Sequence, residues 1–173
     1  MRSSLAIFTL AFGAVTLLTA APKQPKSIER EVRHELITLP YYGIFDNLAY
    51  RVDGSVVTLF GQVARPTLRH DAEVRVKEIE GVDRVINEIE VLPLSPNDDR
   101  IRRAVYAAVY SKEPLQRYAM GAVPPIHIIV KNGNVTLVGF VGNEGDKNIA
   151  GIAANGVSGV FSVSNQLALD SNN

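Results

Sequence analysis

The sequence predicts an α+β protein made of two tandem α-β-β-α-β units, each with a three-stranded mixed sheet and two helices on one face. The first observation is an internal repeat. A shift of 78 residues makes 11 of the 40 positions in residues 52–91 identical to their partners. The second observation is that each repeat alternates segments of helical and of strand periodicity. The third is a Pro-containing boundary at residues 94–97, which predicts two domains.

The first helix of each unit is predicted from apolar residues at helical spacing. Ser27 is the predicted N-cap in the first unit and Asn97 in the second, because side-chain oxygens of Ser and Asn accept hydrogen bonds from the first free N–H groups. The apolar positions are Ile28, Val32 and Leu36 in the first unit and Ile101, Val105 and Val109 in the second.

A β-hairpin follows each first helix. Its turns are predicted at residues 53–55 and 131–134, where Gly and Asn favour the backbone conformation of a tight turn. The strand after each turn alternates in polarity, which directs one of its faces towards a core. The residues on that face are Val57, Leu59, Gly61 and Val63 in the first unit and Val135, Leu137, Gly139 and Val141 in the second.

A second helix and a last strand complete each unit. Pro66 suits the first helical position, and Asn143 is the predicted N-cap of the equivalent helix. Gly81 and Gly159 stand where a helix needs a left-handed residue at its C-terminus. The residues predicted to line the core face of the first of these helices are Leu68, Ala72, Val76 and Ile79.

Two strings of residues resemble the BON domain, a family named for bacterial osmotically inducible and nodulation proteins. A strand reading Val-x-Leu-x-Gly-x-Val at residues 57–63 is followed by Gly-Val-x-x-Val-x-Asn at residues 81–87, and both strings recur 78 residues later. The resemblance covers residues 27–170. The positions that we expect to specify the fold are Gly61, Gly81, Asn87, Gly139, Gly159 and Asn165.

The resemblance implies a periplasmic or envelope protein, similar to the two-BON proteins of osmotic stress and outer-membrane integrity. It further implies binding to a phospholipid surface rather than catalysis. Some two-BON proteins carry a lipoprotein Cys, but this chain contains no cysteine, so we expect peripheral rather than covalent attachment. The second repeat also has a longer first loop, residues 113–125, where the resemblance does not carry over residue by residue.

The N-terminus is typical of a secretory signal peptide. A positive start at Arg2 precedes an apolar run from Leu5 to Leu18 and small residues near its end. The alternative is an uncleaved anchor or a buried helix. The predicted organisation is a signal peptide at 1–21, a linker at 22–26, a first BON domain at 27–93, an inter-domain linker at 94–97 and a second BON domain at 98–170.

No catalytic or metal-binding pattern occurs in the sequence, so we expect no enzyme activity, no metal and no cofactor. The histidines His34, His70 and His127 lie far apart, and none has a second ligand at metal spacing. The absence of cysteine removes thiolate chemistry. The carboxylates of the first helix alternate with arginines, which is typical of a solvated face.

Nucleic acid is not an expected partner. The formal net charge is zero, whereas nucleic-acid-binding proteins usually carry a basic excess. Residues 142–145 read Gly-x-x-Gly, as in an RNA-binding KH loop, but the intervening residues are Asn and Glu and the next is Asp146.

The first helix of the second unit and the loop after it carry the predicted lipid-binding residues. Tyrosine rings beside arginines suit an anionic membrane surface, because the ring enters the headgroup boundary and the cation attracts phosphate. The alternative is an amphipathic core helix whose tyrosines are half-buried against the long loop. The candidates are Arg102, Arg103, Tyr106, Tyr110, Arg117 and Tyr118.

Two functions are therefore expected from the sequence. The first is peripheral binding to anionic phospholipid through the second repeat, with the first repeat as a spacer or a partner-binding surface. The second is a periplasmic adaptor that binds an envelope protein and has no lipid affinity. Residues 27–93 hold 8 basic and 12 acidic side chains and residues 94–173 hold 7 and 6. An anionic surface should therefore repel the first repeat and tolerate the second.

Overall fold

The computed structural model describes residues 25–121 and 123–170. Within them the two repeats form two α+β units in succession, as predicted. The first unit consists of α1 (Pro25–Ile37), β1 (Asn47–Asp53), β2 (Val56–Val63), α2 (Pro66–Lys77), β3 (Arg84–Asn87) and β4 (Glu90–Val91). The second consists of α3 (Pro96–Tyr110), α4 (Glu113–Gln116), a 3₁₀ turn (Arg117–Ala119), β5 (Ile126–Lys131), β6 (Asn134–Val141), α5 (Glu144–Asn155) and β7 (Ser162–Leu169).

Both sheets are mixed and are built around the second strand of the unit. In the first sheet β1 is antiparallel to β2, while β3 and then β4 run parallel to β2 on its other side. In the second sheet β5 is antiparallel to β6 and β7 is parallel to it. The pairing register repeats with the 78-residue shift, since Tyr50 faces Leu59 and Ile128 faces Leu137. The predicted fold class is confirmed, with one difference: the predicted last strand of the first unit is divided into β3 and β4, so that sheet has four strands and not three.

Each unit has its own hydrophobic core, formed where its helices pack on one face of its sheet. The predicted helical positions are buried in both units. The core of the first unit includes Ile28, Val32, Leu36, Val57, Leu59, Val63, Leu68, Ala72, Val76 and Ile79. The core of the second includes Ile101, Val105, Val109, Leu115, Ile126, Ile128, Val135, Leu137, Val141, Ala150 and Leu167.

The glycine inside each central strand is required by a close backbone approach. Gly61 and Gly139 both have a φ of +116°, which L-residues rarely adopt. A Cβ atom at Gly139 would lie 1.9 Å from the carbonyl oxygen of Pro125, and one at Gly61 would lie 2.1 Å from that of Asn47. Because those two carbonyls are also 78 residues apart, the motif glycine performs the same structural task in each repeat.

The motif asparagines tie the last strand to the second helix. The side-chain amide of Asn165 donates to the carbonyl of Lys147 at 2.7 Å, and its oxygen accepts the backbone N–H of Leu167 at 3.3 Å. Asn87 makes the equivalent bonds to Arg69 at 2.9 Å and from Ile89 at 3.2 Å. Both asparagines therefore hold the last strand of their unit against its second helix.

The first helix begins earlier than predicted. α1 starts two residues before Ser27, which lies in the first helical turn instead of capping it. The helix therefore includes the last two residues of the segment predicted as a linker, 22–26. The rest of that segment and the predicted signal peptide, 1–21, lie outside the described residues.

The cap of the third helix is also different from the prediction. α3 begins at Pro96, and the Oγ of Ser95 accepts the backbone N–H of Asp98 at 3.2 Å. Asn97 is thus inside the helix. A proline at the first helical position loses nothing, because that N–H has no partner within the helix.

The second helices begin as predicted but end differently. Pro66 occupies the first turn of α2, and Asn143 caps α5 by accepting the backbone N–H of Asp146 at 2.8 Å. Gly81 and Gly159 have φ values of +88° and +90°, yet each follows its helix only after a further turn. The predicted left-handed conformation is confirmed, and the predicted position directly at the helix end is wrong.

Replacing Gly139 by Ala tests the close approach in the central strand. We expect the free energy of unfolding to fall by about 3 kcal/mol, because the added Cβ meets a carbonyl and the backbone conformation is unfavourable for alanine. Gly156→Ala is the matched control, since its Cβ would have only ordinary contacts at 3.7 Å. Urea denaturation measures both, and equal midpoints for Gly139→Ala and the unsubstituted protein would contradict this account.

Candidate functional site

The loop between α1 and β1 joins the first repeat to the second. The carbonyl of Ile44 accepts a hydrogen bond from the backbone N–H of Ile128 at 2.8 Å. Ile128 lies on β5, one of the two edge strands of the second sheet. Ile44 and Phe45 are half-buried and pack against the core of the second unit. The loop therefore covers part of a sheet edge that a separate second repeat would expose.

A buried carboxylate holds this loop in shape. Asp46 is 4% exposed and accepts the backbone N–H groups of Gly43 at 3.1 Å and of Ala64 at 2.8 Å. Burial raises the pKa of Asp46, and these two hydrogen bonds oppose that rise. The carboxylate thus links the loop to the end of β2.

Two further contacts flank the hydrogen bond between the repeats. The rings of Tyr42 and His127 stack with their centroids 5.7 Å apart, and Lys131 forms an ion pair with Glu90. Burial lowers the pKa of His127, and burial raises the pKa of Tyr42 to about 12. The intervening Ile129 is 4% exposed although it does not belong to the core of its own unit.

A groove opens beside this junction. Its volume is about 420 Å³, and both repeats contribute to its walls. Phe45 from the first repeat meets Tyr106 of α3 edge to face, with the ring centroids 6.5 Å apart. The lining residues are Ile44, Phe45, Arg103, Tyr106, Ala119, Gly121 and Pro124.

Two of the six predicted lipid-binding residues are buried inside the second unit. Arg102 is 5% exposed, donates to the carbonyl of Val130 at 2.8 Å and pairs with Asp99. Tyr110 is 8% exposed and donates its hydroxyl proton to the carbonyl of Ile126 at 3.0 Å. Burial raises the pKa of Tyr110. Both side chains therefore make hydrogen bonds to β5 inside the second unit, and neither belongs to the exposed surface of α3.

Arg117 and Tyr118 fasten the long loop to the start of α5. Arg117 forms an ion pair with the buried Asp146. The hydroxyl of Tyr118 donates to the same carboxylate at 2.5 Å and accepts the backbone N–H of Gly142 at 2.7 Å. The N–H of Gly142, in the Gly-x-x-Gly turn that resembles an RNA-binding loop, therefore already has a hydrogen-bond partner within the chain.

The remaining two candidates, Arg103 and Tyr106, are exposed and line the groove together. Tyr106 is 41% exposed. No ion pair to Arg103 forms within residues 25–121 and 123–170. Met120, at 81% exposure, lies beside Ala119 and Gly121 of the groove wall.

The loop of the first repeat was not predicted to belong to this site. Its run Tyr41–Phe45 is unusually rich in large apolar residues for a segment between a helix and a strand, and this composition could have indicated a covered surface. Tyr41 itself is exposed, with a φ of +66°, and the guanidinium of Arg65 lies 4.9 Å from its ring centroid. Tyr41 of this loop and Arg65, which directly precedes α2, thus form an arginine–tyrosine contact.

The first repeat contains a second cleft of opposite character. This cleft has a volume of about 300 Å³ and is lined by Glu31, Glu35, Arg75, Glu78, Ile79 and Glu80.

No group of side chains in the described part of the chain could hold a metal ion. Among the same residues, no helix has the length and apolar character that crossing a membrane requires.

The repeated fold and its motif residues define the family. The BON domain family matches the chain twice, at residues 25–93 and 97–171, so the chain belongs to the BON domain family as a tandem two-BON protein. A search of curated proteins finds no significant match.

Two solved structures show a distant likeness to the chain. One is the C-terminal domain of CdsD, a structural protein of the type III secretion system of Chlamydia trachomatis. It shares 11% identity and a TM-score of 0.32, covering 82% of this chain and 96% of that one. A second CdsD structure from Chlamydia trachomatis has 10% identity and a TM-score of 0.31, covering 84% and 94%. Likeness at this level supports no argument about function.

His127→Phe tests the junction between the repeats, because Phe keeps a ring against Tyr42 but does not titrate. The pKa of His127 is lower in the folded state than its unfolded value of about 6.5. The contribution of neutral His127 to the stability of the fold is therefore fully present above the unfolded pKa and is lost as pH falls through the folded pKa. We expect the stability of the unsubstituted protein relative to His127→Phe to fall from pH 7.5 to pH 5, by at most about 1.4 kcal/mol per pH unit.

Urea unfolding followed by circular dichroism measures this difference. The raised pKa of Asp46 acts in the opposite sense, since its contribution is present at low pH and is lost as pH rises through the folded value. Because the charge of His127 lowers the pKa of Asp46, His127→Phe also changes the contribution of Asp46, and the measured difference reports the coupled pair. A stability difference independent of pH would show that His127 does not titrate at the junction.

Proposed function

We propose that this BON protein is a non-enzymatic envelope protein that binds peripherally to anionic phospholipid surfaces through the groove between its repeats. The BON family is associated with phospholipid binding and with osmotic or envelope roles. Envelope maintenance or osmotic-stress protection is the corresponding biological role. A periplasmic location follows from the signal peptide expected at residues 1–21.

The proposal rests on one observation: Arg103, which pairs with no carboxylate of residues 25–121 and 123–170, lies on an aromatic and apolar rim. Arg103 shares the groove with Tyr106 and Phe45, while Met120 extends the same rim. A tyrosine ring suits the headgroup boundary, and one basic residue near an anionic surface contributes about 1 kcal/mol. Arg102 and Arg117 are paired with carboxylates, so the attraction rests mainly on Arg103.

The first repeat contributes residues to the proposed binding surface, so it is more than a spacer. It supplies Ile44 and Phe45 to the groove, although its net charge is negative. Its acidic cleft, which contains Glu35 and Glu78, should turn away from an anionic surface. The opposite charges of the two repeats therefore orient the molecule with the groove towards the lipid. Because one cation and a small apolar rim provide the affinity, binding should be weak and reversible.

Co-sedimentation with vesicles tests this function. The protein should pellet with phosphatidylglycerol vesicles at low salt, should be released at high salt and should stay in solution with phosphatidylcholine vesicles. Arg103→Gln should weaken the binding about fivefold, since one cation near the surface is lost. Arg30→Gln on α1, which changes the net charge equally but lies outside the groove, is the matched control.

Vesicle pelleting that does not depend on Arg103 would place the binding surface elsewhere. No pelleting under any condition would overturn the proposal and would leave the adaptor that binds an envelope protein, the alternative expected from the sequence.

A further inference from the structure

We propose that the groove between the repeats holds one acyl chain of an anionic lipid, with the lipid phosphate at Arg103. This inference rests on the proposed lipid-binding function and makes it more specific. A protein that only docks on a surface needs a bilayer, whereas a protein with an acyl-chain site also binds a single lipid molecule in solution.

The walls of the groove suit a hydrocarbon chain. The groove, with a volume of about 420 Å³, is shallow and open to solvent, so it contacts one side of a chain and does not enclose it; like ligand sites, it combines apolar walls with a few polar groups. Ile44, Phe45 and Pro124 supply apolar surface, while Ala119 and Gly121 leave space that larger side chains would fill.

The charge of the groove selects an anionic amphiphile. Among the described lining residues Arg103 is the single charged one, and no described carboxylate pairs with it. An arginine next to an apolar wall matches a phosphate joined to a hydrocarbon chain, because guanidinium donates two parallel hydrogen bonds to phosphate. The acidic cleft of the first repeat has the opposite preference, since four of its six lining residues are glutamates.

Both repeats are needed for this site. Phe45 and Ile44 form one wall, and the hydrogen bond from Ile128, the ring contact with Tyr106 and packing against the core of the second unit join them to the second repeat. Tyr106 in turn packs against the buried Tyr110, with the ring centroids 5.0 Å apart.

Titration with monomeric lysophosphatidylglycerol tests the inference on the full chain. Octanoyl, decanoyl and lauroyl forms would be used below their critical micelle concentrations, and binding would be followed by NMR or calorimetry. We expect saturable one-to-one binding that tightens as the chain lengthens, up to about fourfold for each CH₂ group that leaves water. Glycerophosphoglycerol, which has the headgroup without a chain, should not bind measurably, and lysophosphatidylcholine should bind at least fivefold more weakly.

Ala119→Phe should fill the groove and weaken lauroyl lysophosphatidylglycerol at least tenfold. Ala107→Phe, an exposed position on α3 outside the groove lining, should leave the affinity within twofold. Circular dichroism would confirm that both variants fold. Affinity independent of chain length, or equal effects of the two variants, would overturn the acyl-chain site.

The outcomes separate this inference from the proposed function. Pelleting with phosphatidylglycerol vesicles without binding of monomeric lipid would overturn the acyl-chain site and retain surface docking. Binding of monomeric lipid without pelleting would support the site and overturn surface docking. Failure of both measurements would overturn both.

Discussion

The groove between the repeats depends on one backbone hydrogen bond, from the N–H of Ile128 on the second sheet to the carbonyl of Ile44 on the first repeat. It satisfies a donor on a sheet edge and fixes the loop that carries Phe45. Asp46 supports the loop from the side of the first repeat, and Tyr42 stacks on the second. The loop of the first repeat and β5 of the second repeat form this contact together. The tandem chain therefore has a face that neither repeat would have alone.

The fold could be predicted from the sequence because its determinants are local and occur twice. The periodicity of α1 and α3, the hairpin turns and the left-handed glycines are visible in a single chain. Gly139 and Asn165 could be recognised as important, but the carbonyl of Pro125 and the helix that they contact could not be identified. Helix starts were misplaced because Ser, Asn and Pro all favour the same few positions.

The candidate site could be predicted only in part because burial depends on tertiary packing. Helical spacing places Arg102 and Tyr110 beside Arg103 and Tyr106, but β5 covers the first pair and leaves the second pair exposed. The contribution of Phe45 could not be derived from spacing at all, since it comes from another repeat. Opposite charges on the two repeats predicted a polarised molecule, and the structure adds the groove towards which that polarity is directed.

The most direct test of the central claim is the orientation of the protein on a membrane. The chain contains no cysteine, so a single introduced cysteine can carry a polarity-sensitive fluorophore. Met120→Cys labels the rim of the groove, and Glu78→Cys labels the acidic cleft of the first repeat. With phosphatidylglycerol vesicles the emission should shift to the blue at position 120 and stay unchanged at position 78. Equal shifts at both positions, or a shift at 78 alone, would contradict the account.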